Sequence, residues 1–322
     1  MVFESFFVYV VMKENILTMK TNWFFITIIL LNFNFACSNP EPQPTNTNQA
    51  TIVKESLIEK IIPPKIDFPK DRKEIIKRLK EKIKNKQPLV IHVFVPLCDN
   101  DNQGIVPVSK TLGDGLNLRT NLYWGALYGV KTHFKKKKDW KLLSAEKDIS
   151  PNVLERVIFQ KKFENGANVI LVADAYRGDR MKICLEDYFN SLAGRKNAIQ
   201  QIDNKETFIY GKSDLLVFNG HNGLMDTNVD IIYNHDDVAK DAIAVACISF
   251  NYFEKHLQAT KAYPTLMTNH LLAPEAYVLE NVFNAWAMLE NEEKIHHAAG
   301  SAYNQYQKCG LKGAKRLYKS GW

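Results

Sequence analysis

The chain has 322 residues, of which 46% are hydrophobic and 24% charged, with a formal net charge of +7. This is the profile of a globular protein and excludes a small disulfide-stapled scaffold. The positive excess lies largely in "DRKEIIKRLKEKIKNK" (71–86) and "KKKK" (135–138), without the Arg and aromatic interleaving of a nucleic-acid-binding face. A solvated Lys-rich surface is therefore the expectation, with no nucleic-acid partner; contact of these lysines with nucleic acid or an anionic membrane is the lesser alternative.

From Met19 the sequence "MKTNWFFITIILLNFNFAC" has a short basic start, an apolar run from Trp23 to Phe35, small Ala36 and then Cys37. That order predicts a secretory signal over 19–36, too short for a membrane span. It resembles a bacterial lipoprotein signal. The resemblance implies lipidation of Cys37 and an exported protein anchored by its N-terminal lipid to a bacterial membrane, periplasmic or at the cell surface. Residues 1–18 show no matching logic and read as a mis-assigned start upstream of Met19; a single N-terminal membrane anchor is the alternative. Residues 37–52, Pro-, Asn- and Thr-rich with almost no apolar side chains, cannot bury a core and read as a flexible tether. Cys98, Cys184, Cys247 and Cys309 are scattered without a CxxC pair, so neither a zinc ribbon nor a disulfide framework is expected, although one bridge remains open.

Residues 53–86 form a leading segment whose second half, with Ile75, Ile76, Leu79 and Ile83 at helical spacing, predicts an amphipathic helix over 71–85. "PLVIHVFVPL" (88–97) is a continuous apolar run suited to a strand buried on both faces. The periodicity of 117–134 predicts a helix, 154–163 an edge or hairpin strand, "ANVILVADAY" (167–176) another buried strand and 181–194 a helix. Two strands follow, ending at His221 in "DLLVFNGHNGLMD" (214–226) and at Cys247 in "AIAVACISF" (242–250). Beyond them a short strand leads at Pro274 into a long helix, within 263–289, and the tail is helical. His296 and His297 are adjacent, hence on different helix faces and poor co-ligands. Residues 87–322 thus predict one α/β domain, a three-layer sandwich with a mostly parallel central sheet.

Ligands of such sheets bind where loops leave the carboxyl ends of the strands. Four loops are expected to meet there: 98–104, 174–180, 220–226 and 247–252. A thiol needs a base or a field to become a nucleophile, and histidine supplies the base near neutral pH. His221 and Cys247, at matching ends of consecutive strands, are therefore the candidate catalytic pair. The N–H groups of Cys247 and of Asn222 or Gly223 are the candidate oxyanion donors. Each residue also has a plainer reading, a packed small side chain for Cys247 and loop or turn positions for His221, Asn222, Asp226 and Asn228.

"VFNGHNG" and "AVACIS", preceded by two strand and helix units, resemble the caspase/gingipain/legumain superfamily of cysteine peptidases over roughly 88–260. The resemblance implies a caspase-like fold, a peptidase acting on peptide or protein substrates, His221 as general base and acid, Cys247 as nucleophile, and no cofactor. The alternative is a non-catalytic surface lipoprotein of the same fold that binds a partner or ligand at this edge. "DNDNQG" (99–104) begins like a calcium loop, but Lys110 stands where the twelfth-position Glu is required, so no metal is expected; a looser cation site at this edge is the lesser alternative. Asp99, Asp101, Asp174 and Asp226 are candidate substrate-binding residues. With Asp179, and against Arg177 and Arg180, they predict an acidic rim favouring a cationic group beside the scissile bond. Capping and turn roles are the alternative, particularly for Asp179 ahead of 181–194. Thr268, Asn269 and His270 are further candidates to line the pocket.

Overall fold

The computed structural model describes residues 67–229 and 236–322. The signal, Cys37, the tether and the beginning of the leading segment lie outside the described residues. The first described helix, α1 (Lys73–Lys84), places Ile75 and Leu79 in the core and carries Lys82 and Lys84 in its last turn, where cations suit the helix dipole. Arg72, just ahead of it, is 3% exposed. It makes a two-pronged ion pair with Asp241 at 2.8 and 2.7 Å, so the leading helix is pinned to the domain.

An eight-stranded sheet forms the centre. Its strands are β1 (Leu89–Pro96), β2 (Lys141–Ser150), β3 (Val153–Lys162), β4 (Asn168–Tyr176), β7 (Leu215–Asn219), β8 (Asp241–Val245), β9 (Tyr263–Thr268) and β10 (Tyr318–Lys319), in the order β10-β9-β8-β7-β1-β4-β3-β2. The five inner strands β9, β8, β7, β1 and β4 are mutually parallel. β3 and β2 add antiparallel strands at one edge and β10 at the other. The fold is thus α/β with a mostly parallel central sheet flanked by helices, as the alternation of buried strands and helices predicts.

Every residue of β1, β7 and β8 is buried, which explains why these strands read as unbroken apolar runs. Alternate residues serve two cores. Ile91, Val93, Leu215, Val217, Ile243 and Val245 face α1, α2 (Val130–Lys136), α5 (Ala276–Ala287), α6 (Glu292–Gln307) and α7 (Leu311–Arg316). Val90, Phe94, Leu216, Phe218, Ala242 and Ala244 face α3 (Met181–Leu192) and α4 (Ser249–Ala259).

Three segments depart from the sequence expectation. Residues 117–129 form turns, and helix begins only at Val130. Here Asn121 competes with helix formation: its Oδ1 accepts from the N–H of Cys98 and of Tyr123, and its Nδ2 donates to Cys98 O and Asp114 O. A Cβ at Gly125 or Gly129 would fall 2.3 Å from Arg119 O or 2.5 Å from the Trp124 backbone, so this close packing requires glycine. β2 carries no apolar run because it is the exposed sheet edge, studded with Lys141 and Lys147. A separate hairpin, β5 (Asn197–Ile202) and β6 (Lys205–Tyr210), turns through Asp203 and Asn204, both in the left-handed region at φ 48° and 61°.

Candidate active site

The register Asn219↔Val245 is the last pairing of β7 with β8. His221 and Cys247 lie two residues beyond it on adjacent parallel chains, which run ~4.8 Å apart while they remain paired. They therefore leave the sheet at the same carboxyl edge. Asn222 joins the two exits: its Nδ2 donates to Cys247 O at 2.7 Å, and its Oδ1 accepts from Leu224 N–H at 3.2 Å.

The four loops expected at this edge do meet. Gln103 Nε2 donates to Leu97 O at 2.8 Å and to Gly178 O at 3.0 Å, tying the loop after β1 to the loop after β4. Gly104 N–H donates to Asp226 Oδ2 at 3.0 Å, tying it to the loop after β7. A Cβ at Gly104 would stand 2.4 Å from Asp226 Oδ1, so only glycine permits that approach. The bond from Asn222 brings in the fourth loop.

His221 is 7% exposed and held by Asp226, whose Oδ2 lies 2.6 Å from Nε2. Its Nδ1 is left without a hydrogen-bond partner among the described residues. Asp226 therefore grips the imidazole while it is itself fixed by Gly104, a carboxylate–histidine pair of the kind that orients a base. Asp226 lies five positions after His221, and the tight 3₁₀ turn Gly223–Met225 between them brings the carboxylate back onto the ring. Gly223 serves packing here: a Cβ would meet Met181 Cγ at 2.2 Å.

The Cys247 thiol donates to Leu272 O at 3.6 Å and is not hydrogen-bonded to His221. Burial pushes the thiol above its usual pKa, so at rest it is neutral and depends on a base for activation. The next residue, Ile248, has φ 49° and ψ 35°, in the left-handed region. A β-branched side chain rarely adopts that conformation, and such strain concentrates at functional sites. It is held there by Ile248 N–H to His270 O at 3.1 Å, by Ser249 N–H to Thr268 Oγ1 at 3.1 Å and by Ser249 Oγ to Ala244 O at 2.7 Å. Thr268 Oγ1 in turn donates to Ala246 O. The N–H groups of Asn222 and Gly223 have no hydrogen-bond partner among the described residues, and both residues are buried, while the Cys247 N–H lies against its own thiol. Cys98, at the end of β1 and two strands from β8, is fully buried; burial pushes its thiol up to about 12.

The expected acidic rim is not what these carboxylates build. Asp174 is a correction: it lies inside β4 with no exposed surface, on the face shared with Val172 and Tyr176. It accepts from Arg156 Nε and Nη2, both at 2.7 Å, from Tyr210 Oη at 3.0 Å, and bonds His92 Nε2 at 3.0 Å. Tyr210 N–H donates to His92 Nδ1, so Nε2 carries the proton given to Asp174. No face of this carboxylate is left for substrate. Asp99 is 6% exposed and accepts from the N–H of Asp101, the N–H of Asn102 and Asn102 Nδ2, which makes it a turn-forming residue rather than a ligand group. Asp179 is paired with Arg177 at 2.9 Å. Asp226 belongs to the site, but as the partner of His221. Asp101 is exposed at the loop surface, as is Asp226. Of the residues after β9 expected to line the pocket, Thr268 is instead wholly buried at the end of its strand and, with His270 O, braces the turn after Cys247. Leu272, which holds the thiol through a main-chain carbonyl, left no signal in the sequence.

Comparison with protein-family models, with curated proteins and with solved structures finds no match.

Proposed function

We propose that this protein is an exported, lipid-anchored cysteine hydrolase that cuts peptide bonds, with Cys247 as nucleophile and His221 as base. The placement of His221 and Cys247 at the carboxyl ends of adjacent parallel strands, with His221 oriented by Asp226, carries the reading. The resemblance of "VFNGHNG" and "AVACIS" to the caspase/gingipain/legumain superfamily supports the same assignment. Anchoring at a bacterial membrane rests on the signal-like stretch before Cys37.

In the proposed cycle the thiol leaves Leu272 O and passes its proton to His221 Nδ1 as sulfur adds to the scissile carbonyl carbon. The negative oxygen is met by the N–H groups of Cys247 and of Asn222 or Gly223. Collapse breaks the C–N bond; His221 returns the proton to the leaving amine, and a thioester remains on Cys247. Water, deprotonated by His221, attacks the thioester, releases the carboxylic acid and leaves the thiolate, which recovers its proton from His221. Asp226 stabilises the imidazolium formed twice in the cycle.

The hydrogen bond of Cys247 to Leu272 rather than to His221 favours a second reading, a non-catalytic surface lipoprotein that binds a partner at the same edge. A positional-scanning peptide library separates the two. Cleavage abolished by Cys247→Ala supports the hydrolase; an intact library, or cleavage that survives Cys247→Ala, overturns it.

A further inference from the structure

A cleft of ≈ 780 Å³ opens between β9, α6 and α7, lined by Asn269, His296, Lys312, Lys315, Arg316 and Tyr318 among others. Among the described residues, no acidic one lines it. The chain from 294 to 322 contains Lys294, Lys308, Lys312, Lys315, Arg316 and Lys319 and no Asp or Glu. Lys312, Lys315 and Arg316 form no salt bridge among the described residues, whereas Lys294 is paired with Glu290. Three cations thus share one shallow, open depression without local neutralisation, and their fields add there.

The cleft is built rather than incidental. α7 sits tightly on α6 because residue 300 is glycine: a Cβ there would fall 2.5 Å from Lys315 Cγ. His296 Nε2 donates to Lys315 O at 2.9 Å and Tyr318 O at 3.1 Å, fixing the turn from α7 into β10. Asn269 N–H donates to Leu317 O at 2.8 Å. The same loop continues from Asn269 to His270 O, which holds Ile248, and to Leu272 O, which holds the Cys247 thiol. Three residues span at most about 10 Å, so a chain lying in the cleft comes within a few residues' reach of the nucleophile without occupying its position.

We infer that this cleft docks an acidic stretch of the polypeptide substrate, several residues away from the bond that is cut. The inference rests on the hydrolase reading and replaces the acidic-rim expectation. Carboxylates of the substrate pair with Lys312 and Arg316 at the surface and with Lys315, whose stem is laid along Gly300. The preference it creates concerns a segment outside the scissile residue, so it adds to whatever the pocket beside Cys247 selects.

Fluorescence anisotropy with a labelled tetraglutamate peptide and its tetraglutamine counterpart, on the Cys247→Ala protein, reads docking without turnover. The acidic peptide is expected to bind tighter, to weaken with added salt, and to lose about tenfold in affinity when Lys312→Gln and Arg316→Gln are introduced, exposed pairs each being worth up to ~1 kcal/mol. Equal binding of the two peptides, or full affinity in the double variant, overturns the inference. Turnover of one cleavable sequence extended by either tail then separates the two claims. Cys247-dependent cleavage that ignores the acidic tail sinks the docking role and leaves the hydrolase standing; charge-dependent binding with no cleavage of any peptide supports the cleft and sinks the hydrolase.

Discussion

Replacing Asp174 with Asn tests whether that carboxylate is structural rather than substrate-binding. The residue is wholly buried and receives four bonds: two from Arg156 at 2.7 Å, one from Tyr210 at 3.0 Å and one from His92 at 3.0 Å. Arg156 is itself 5% exposed. Asparagine keeps the shape but removes the charge and turns an N–H₂ towards these donors, leaving a buried guanidinium unpaired. Breaking a buried pair in this way costs about 3–5 kcal/mol, a large share of the ~5–15 kcal/mol that holds a domain. Urea unfolding followed by tryptophan fluorescence should show a lower midpoint at unchanged slope. Burial alone would raise the Asp174 pKa, but His92 and Arg156 overcome it and hold the group well below the usual carboxylate range. A depressed pKa gives stability that is present above the unfolded-state value and is lost as pH falls through the folded-state value. The gap between wild type and variant should therefore stay constant from about pH 7 to about pH 5 and close only in stronger acid. A loss below about 1 kcal/mol, with substrate affinity reduced instead, would refute the structural assignment and return Asp174 to the substrate.

Asp226→Asn should slow reaction of Cys247 with a peptide substrate by roughly 10- to 100-fold, since a charge-assisted bond to the base is worth about 1.5–3 kcal/mol, while the urea midpoint barely moves; an unchanged kcat/KM would show that His221 needs no orienting carboxylate. Asp241→Asn should destabilise by about 3–5 kcal/mol, because Arg72 loses a buried partner that also accepts from Thr265 and Trp286. Disrupting the exposed Lys73–Asp71 pair should leave the urea midpoint essentially where it is, and a loss equal to that of Asp241→Asn would contradict the burial argument.

What was legible in the sequence follows from burial. β1, β4, β7 and β8 announced themselves because strands covered on both faces are continuous apolar runs, and the shared edge of His221 and Cys247 follows from their consecutive order. β2 was hidden because an exposed edge strand carries lysines and no apolar alternation. The helix expected over 117–134 failed at its first half because the bonding of Asn121 and the glycine contacts at 125 and 129 are tertiary, whereas periodicity is local. The Asp203-Asn204 turn of the β5–β6 hairpin was a readable signal. Asp174 was misplaced because residues 174–176 were assigned both to the strand 167–176 and to the loop 174–180, and the loop assignment was followed where the strand holds, and the pairing of Asp226 with His221 depends on a 3₁₀ turn that no spacing rule reveals.

The most direct test of the proposed pair is the rate at which a thiol-directed peptidyl electrophile modifies Cys247, measured by mass spectrometry with exposed Cys309 replaced by serine. Cys247 should react fast while buried Cys98 and Cys184 stay unmodified, their thiols pushed up by burial. His221→Ala should slow the reaction by about 100-fold or more, the contribution expected of a positioned base. Labelling of Cys247 at the same rate with and without His221, or no faster than Cys98 and Cys184, would contradict the account.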